Sequence, residues 1–263
     1  MPIAYLERMP TVAEICEQLE SETPLSWAEP WDNVGLLCGD PQMQVTGIML
    51  TVDFHAEVAA EAIRAGCNMI AAYHPPLFKA VARLGPSNLI WPALAHGLAV
   101  WSPHTAFDVG TLGTNDWVAK RLQLSACRPL RPAAQDSLRG TGRIGQFSGD
   151  GQVLVAALKG ALCTQHLLVS GVLPLKPFCL AIAAGSGASM AEDAASQGAD
   201  VFLTGEASHH DALRVGRLGM CLVTTFHSVI ERPAVREWSA RLHDGLGIGV
   251  HCSESDRDPY RVV

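Results

Sequence analysis

Histidine and carboxylate side chains follow three apolar segments of this chain, where each segment would leave a sheet. They are His74 at the first exit, His104 with Asp108 at the second, and His227 with Glu231 at the third. Open α/β sheets bind ligands at the carboxyl ends of their strands. A mixed imidazole and carboxylate set suits Zn, Fe, Mn, Co or Ni rather than Ca or Mg, and a carboxylate can bridge two ions. The pattern therefore predicts a site for one or two divalent transition-metal ions.

Each of these groups also has a simpler interpretation. A lone histidine after a strand, such as His74, is more often a hydrogen-bonded structural residue than a metal ligand. His227 and Glu231 are four residues apart, which puts them on one face of a helix if one begins there with Ser228 as its cap. The same spacing is common in surface pairs. The convergence of three strand exits favours the metal site over these alternatives.

Other polar residues could line such a site or move protons beside it. Asp32 follows Trp31 in a turn that either is a simple Asx turn or lines the site. Glu206 follows a further predicted strand. His209 and His210 are adjacent in a predicted helix, so they point to different faces and at most one can face the site. We therefore take His104, Glu206, His209 and His210 as candidate acid–base or supporting residues.

The elements that would position these residues alternate between strands and helices. Predicted strands cover residues 35–37, 47–53, 67–72, 98–101, 178–183, 200–204 and 221–225. Predicted helices cover residues 12–19, 55–65, 88–96, 115–122, 190–197 and 207–218, and the fourth would be capped by Thr114 or Asn115. This alternation predicts an α/β fold with βαβ units.

The chain is expected to form two lobes. The first would comprise residues 1–127 with 225–263, the second residues 128–224, and the Pro-, Gly- and Arg-containing stretch 128–143 would connect them. Aligning Gly66 with Gly198 places Glu206 at the position of His74. We infer, as a hypothesis, that the two lobes are pseudo-duplicated βαβ frameworks.

Composition excludes several classes of protein. With 263 residues, 48% of them hydrophobic and 17% charged, the chain can bury one large core or two modest ones. A formal charge of -7 without basic runs argues against nucleic-acid binding. The first residues lack the pattern of a signal peptide and no apolar run is long enough for a membrane span, so we expect a cytoplasmic protein. The eight cysteines form no C-x-x-C pair, so we expect no disulfides and no zinc finger.

A glycine-rich turn is the nearest approach to a nucleotide motif. Gly185 and Gly187 are followed by Met190 where the dinucleotide fingerprint has its third glycine, and no P-loop sequence occurs. We expect a plain turn there.

Five ordered motifs resemble one family. They are residues 31–36 (WDNVGL), 73–78 (YHPPLF), 102–108 (SPHTAFD), 205–211 (GEASHHD), and His227 with Glu231. They are similar to those of the NIF-three-like dinuclear metal-centre family, whose members often bear the name GTP cyclohydrolase I type 2 homolog. The resemblance runs from about Ala13 to the C-terminal segment. It implies two similar three-layer α/β lobes, assembled into a toroidal homo-hexamer with paired metals facing an internal cavity.

The resemblance also implies which residues bind the metal. The family's ligands fall on His74, Asp108, His227 and Glu231. Many members have two adjacent histidines at the first motif, whereas this chain has Tyr73 in place of the first, as in the branch that includes eukaryotic members. A neutral phenol is a poor ligand unless its pKa, about 10 unperturbed, is lowered by the ion. Tyr73 is therefore a weak additional candidate.

Two functions are compatible with this pattern. One is metal-dependent hydrolysis of a small-molecule substrate, such as the purine ring of GTP, a phosphoester or an amide. The other is a non-catalytic metal-binding or adaptor protein that acts through protein–protein contacts. Loss of turnover without loss of assembly in Glu231→Gln or His227→Ala would distinguish the first from the second.

Overall fold

The structure, a computed structural model, describes residues 8–134 and 136–263. Contacts divide it into two compact units. The first runs from the start of the described chain to Ala106 and includes Arg236–Arg257; the second comprises Phe107–Val235 and Asp258–Val263. These units differ from the predicted lobes at residues 107–127, 225–235 and 258–263, and the predicted boundaries stay a prediction. Residues 1–7, on which the expectation of no signal peptide depends, lie outside the described residues.

The first unit contains a five-stranded sheet. Its strands are β1 (Gly35–Cys38), β2 (Gly47–Thr51), β3 (Met69–Ala72), β4 (Ala99–Ser102) and, late in the chain, β13 (Gly249–Cys252). They stand in the order β1–β4–β3–β2–β13. All pairs are parallel except β1 with β4. Every residue of β2, β3 and β4 is buried, as parallel strands covered on both faces require.

The second unit contains a six-stranded sheet and a two-stranded one. The strands are β5 (Ser125–Arg128), β6 (Arg131–Ala133), β7 (Asp136–Thr141), β8 (Arg143–Phe147), β9 (Leu168–Ser170), β10 (Phe178–Ala183), β11 (Val201–Thr204) and β12 (Cys221–Thr224). The larger sheet has the order β5–β8–β10–β11–β12–β9, and β6 pairs with β7. β10, β11 and β12 are parallel, whereas β8 and β9 are antiparallel to their neighbours. The predicted α/β class is confirmed.

Each predicted helix has a counterpart in the structure. The helices are α1 (Val12–Glu22), α2 (Ala56–Arg64), α3 (Trp91–His96), α4 (Thr105–Val109), α5 (Thr114–Arg121), α6 (Gly151–Leu162), α7 (Ala191–Ser196), α8 (His209–Arg217) and α9 (Arg232–His243), with 3-10 turns at Leu25–Trp27 and Gly187–Met190. Of these, α4 and α6 have no counterpart among the predicted helices. The start of α1 is confirmed by the reciprocal hydrogen bonds of a capping box between Thr11 and Glu14.

Three local predictions are wrong. The stretch 128–143, predicted to connect the two lobes, lies within the second unit and contains β6, β7 and the start of β8. Gly113, and neither Thr114 nor Asn115, stands at the N-terminal cap of α5. No helix begins at Ser228: its hydroxyl donates to Asp258 at 2.7 Å, and α9 starts only at Arg232.

No helix within residues 8–134 and 136–263 has the length and apolar character needed to cross a membrane. The cytoplasmic location stays a prediction.

Candidate metal centre

The exits of the three parallel strands in the second unit lie side by side. Thr204 stands opposite Ala183 on one side and Thr224 on the other, so the residues that follow these strands are neighbours. The pairing continues beyond the strands, with the N–H of Glu206 donating to the carbonyl of Gly185 at 3.0 Å. Because parallel strands end at the same edge of a sheet, Gly185, Glu206 and His227 share this edge.

His227 lies between two carboxylates. Its Nδ1 is 3.1 Å from Oε1 of Glu206, and its Nε2 is 3.6 Å from Oε1 of Glu231. The second distance is too long for a good hydrogen bond, but two ligand atoms about 2.1 Å from one tetrahedral ion lie about 3.4 Å apart. A carboxylate on the other ring nitrogen is the usual arrangement for a metal-binding histidine. His227 and Glu231 could therefore bind one cation together.

Burial distinguishes the two carboxylates. The side chain of Glu231 is 2% exposed, whereas that of Glu206 is 52% exposed. Glu231 is held in a turn, in which its N–H donates to the carbonyl of Ser228 at 3.1 Å. The helical face predicted for His227 and Glu231 is absent, but the turn brings the two side chains together all the same. Buried carboxylates are stabilised by hydrogen bonds, by ion pairs or by a bound metal ion.

Two glycines allow the backbone to approach this pair. A Cβ added at Gly185, where φ is +62°, would lie 2.6 Å from Oε1 of Glu231 and 3.4 Å from Nε2 of His227. A Cβ at Gly205 would lie 2.7 Å from the carbonyl oxygen of Gly185 and 2.9 Å from that of His227. Phe226, directly before His227, has a φ of +74°, an uncommon value for a bulky residue that marks a constrained segment.

Asp108 lies on α4 of the same unit and is linked to a strand exit. The Thr114 hydroxyl donates to the Asp108 carboxylate, and the Asn115 side chain donates to the Asp108 carbonyl at 3.4 Å. The Asn115 side chain also accepts from the N–H of Ala184 at 2.8 Å. Asn115 thus links the backbone of Asp108 to that of Ala184, the residue just before Gly185.

In the first unit, His74 is held at the exit of β3 beside the exit of β2. Its N–H donates to the carbonyl of Val52 at 2.9 Å, and its Nδ1 is 2.9 Å from Oδ1 of Asp53. The Asp256 carboxylate accepts from the N–H of Val52 at 2.8 Å and supports the same turn. Sequence reasoning missed Asp53, although the parallel register, with Thr51 opposite Ala72, places it beside His74.

His104 has a carboxylate partner of its own. Its Nδ1 is 2.7 Å from Oδ1 of Asp32, whose side chain is fully buried and also accepts from the N–H of Thr105 at 3.1 Å. Burial alone would raise the pKa of Asp32, but the hydrogen bonds from His104 and Thr105 outweigh it and lower that pKa. His104 has a φ of +36°, a strained backbone of the kind that clusters at functional sites. The buried ring of Tyr73 contacts the His104 ring, with centroids 5.9 Å apart.

His209 and His210 make no hydrogen bond, ion pair or ring contact with these histidine–carboxylate pairs in the described part of the chain. Both are exposed in the first turn of α8, where Ser208 and Asp211 form a capping box. Their rings contact each other with centroids 5.4 Å apart, and within the described part of the chain neither side chain makes a hydrogen bond or ion pair.

A family model covers nearly the whole of this chain. The model is Duf34/NIF3 (NGG1p interacting factor 3), and it matches residues 10–259. The chain belongs to this family. The resemblance carried by the five motifs is thus confirmed.

Named relatives and a solved structure agree with this membership. NIF3-like protein 1 of Drosophila melanogaster is 35% identical over 96% of this chain and 89% of its own length. A GTP cyclohydrolase 1 type 2 homolog of Clostridium acetobutylicum is 29% identical over 95% of this chain and 98% of its own. The crystal structure of Staphylococcus aureus hypothetical protein SA1388 matches 97% of this chain and 100% of that one, with a TM-score of 0.87 and 27% identity.

Proposed function

We propose that this protein is a metal-dependent hydrolase. The observation that carries the proposal is the placement of His227, with one ring nitrogen on Glu206 and the other 3.6 Å from the buried Glu231. This donor set fits a divalent transition metal: Zn, Fe, Mn, Co or Ni, rather than Ca or Mg.

The proposed ligands are His74, Asp108, His227 and Glu231, with one or two ions per subunit. The family resemblance assigns these four positions. Support for His74 comes from the first unit, where the Asp53 carboxylate lies 2.9 Å from its Nδ1, because a carboxylate on one ring nitrogen is the usual arrangement for a metal-binding histidine. Tyr73 is buried beside His74 and is the weaker candidate for a further ligand.

The other residues have distinct proposed roles. When bound, a transition metal lowers the pKa of a bound water to about 7 and so supplies hydroxide at neutral pH. Glu206 and Asp53 fix the tautomers of His227 and His74 by accepting from Nδ1–H. His104, anchored on Asp32, is the proposed proton carrier, because an imidazole is the side chain that most often serves as a general acid or base.

The substrate class stays broad. A phosphoester, a small amide and the purine ring of GTP, which the name of the Clostridium relative suggests, are all compatible with hydrolysis at such a centre. The exposed His209 and His210 are the weaker candidates for proton transfer.

An adaptor function is the second candidate. It is favoured by the family description itself, which names an interacting factor. In this case the metal would stabilise the fold or an assembly, and the protein would act by contacting another protein.

Two further features of the family belong to the proposal. We expect a toroidal homo-hexamer, and we expect the two units to be related by internal duplication. In each unit three parallel strands occur in chain order, β2–β3–β4 and β10–β11–β12, with an antiparallel strand beside the third. The sheets differ on the other side, where β13 is parallel to β2 but β8 is antiparallel to β10.

The decisive experiment compares wild type with His227→Ala and Glu231→Gln. Metal per subunit is measured by plasma mass spectrometry on protein purified without chelators, mass by light scattering, and turnover with a panel of phosphoesters, amides and GTP. A hydrolase should lose metal and turnover while its mass is unchanged. His96→Ala, an exposed histidine at the end of α3, is the matched control and should behave as wild type.

Other outcomes would refute the hydrolase. Variants that lose both metal and assembly would make the metal structural. Metal-loaded wild type without turnover on any substrate of the panel would favour the adaptor function.

A further inference from the structure

Two large aromatic rings lie in contact on the surface of the first unit. Trp31 is 61% exposed and Phe78 is 44% exposed. Their centroids are 6.0 Å apart and their planes are inclined by 70°, so the rings form a corner rather than a stack. Aromatic side chains carry a large apolar area that is ordinarily buried. A pair left this open is a candidate surface for a ligand.

The corner is held rigidly by polar contacts between the segments that carry it. The Asn33 side chain donates to the carbonyl of Leu77, which links the neighbours of Trp31 and Phe78 directly. The N–H of Glu29 donates to the Thr105 hydroxyl at 3.0 Å, and this hydroxyl in turn donates to Asp32. A site that is already ordered loses little entropy when a ligand binds.

An imidazole completes the corner. The His104 ring lies 6.2 Å from that of Trp31 and 6.0 Å from that of Phe78, edge to face in both cases. Its Nδ1 is bound to the buried Asp32, which leaves Nε2 to interact with a ligand. Two apolar faces and one polar nitrogen are the contacts that a planar ring with polar atoms on its edge can use together.

We infer that Trp31, Phe78 and His104 form a subsite for a planar heteroaromatic ring. The ring stacks on one aromatic face and directs its edge to the other, while a polar ring atom bonds to His104. That the ring belongs to the molecule on which the protein acts rests on the proposed function. The subsite itself depends only on contacts within the first unit.

The test measures ring binding directly. Adenine and nicotinamide are titrated into the full-length protein and followed by calorimetry and saturation-transfer NMR. Cyclohexanecarboxamide, a saturated analogue of nicotinamide, is the ligand control. The variants are Trp31→Leu, Phe78→Leu and Trp31→Phe, and Tyr260→Leu is the matched control because Tyr260 is 74% exposed outside the cluster.

The subsite predicts a graded result. At least one aromatic probe should bind wild type, and the saturated analogue should not. Trp31→Leu and Phe78→Leu should each weaken binding by about fivefold to a hundredfold, the usual range for losing a ring–aromatic stack. Trp31→Phe should retain part of the affinity, and Tyr260→Leu should retain all of it.

Three results would overturn the inference: no binding of either probe to wild type, equal binding of the saturated analogue, or unchanged binding in both leucine variants. If the two leucine variants changed the oligomeric mass but not the binding of the aromatic probes, the corner would instead be a contact for a second copy of the chain. Repeating the titration after metal removal separates the two proposals. Ring binding to a protein that takes up no metal would sustain the subsite while refuting the hydrolase.

Discussion

Gly185 is a position at which a single methyl group should selectively damage the proposed metal centre. In Gly185→Ala the new Cβ would lie 2.6 Å from Oε1 of Glu231, far inside van der Waals contact. The obstructing atom is the end of a side chain, so the clash is relieved when the carboxylate moves away by roughly half an ångström or more. The substitution should therefore displace the proposed ligand Glu231 rather than disrupt the core.

Two effects contribute to the expected magnitude. A left-handed backbone costs a residue with a Cβ about 1–2 kcal/mol, which lowers Tm by roughly 2–8 °C in a protein of this size. Displacing the carboxylate adds a loss of about tenfold to a hundredfold in metal affinity, similar to losing a supporting contact of a metal ligand.

Gly198→Ala separates these two effects. Gly198 has a similar φ of +79°, but a Cβ there would have no atom within 4 Å. Both variants should lose comparable thermal stability, measured by calorimetry on metal-free protein. Only Gly185→Ala should lose metal affinity, measured by competition with a chelator of known affinity.

The reasoning would be refuted if Gly185→Ala bound metal as tightly as Gly198→Ala. Such a result would mean that Glu231 is not a ligand, or that its carboxylate binds from a position the methyl group does not reach.

The remaining predictions concern the first unit. Asp53→Asn keeps an acceptor for Nδ1–H of His74 but removes the charge, so metal affinity should fall about tenfold or more while Tm changes little; unchanged affinity in the chelator competition would argue against a supporting role for Asp53. Burial raises the pKa of Glu61, but hydrogen bonds from the Ser253 hydroxyl and from the N–H groups of Glu254 and Ser255 outweigh it and lower the pKa to about 2. Because the folded pKa lies below the ordinary one, this stabilisation is present above about pH 4.5 and is lost as pH falls through about 2. Glu61→Gln should accordingly lower Tm at pH 7 and have a much smaller effect near pH 2, and a pH-independent difference in calorimetry would contradict the assignment.

Much of the site could be predicted because its signals are local. An apolar run that ends in Tyr73, His74 and two prolines identifies a strand exit without any knowledge of neighbouring strands. The same holds for His104 after β4. The predicted start of α1 at residue 12 is confirmed as well, and the capping box of Thr11 and Glu14 marks that start within a few residues of the chain.

Errors arose where local signals compete or are weak. Residues 128–143 contain proline, glycine and arginine, which is typical of a loop, yet pairing with neighbouring segments makes strands of β6, β7 and β8. The spacing of His227 and Glu231 is helical, but the pair lies in a turn before α9. A spacing of four residues brings side chains together in either conformation.

The sequence by itself determined the α/β class, the strand exits that carry histidine, and the kinds of ligand available for a metal. Only the tertiary structure decided which carboxylate supports each imidazole: Asp53 for His74, Asp32 for His104 and Glu206 for His227. These partners are 21 to 72 residues apart in the chain. Their pairing depends on strand register and on the close approach of glycine backbones, which arise from contacts between distant segments and leave no periodic pattern in the sequence.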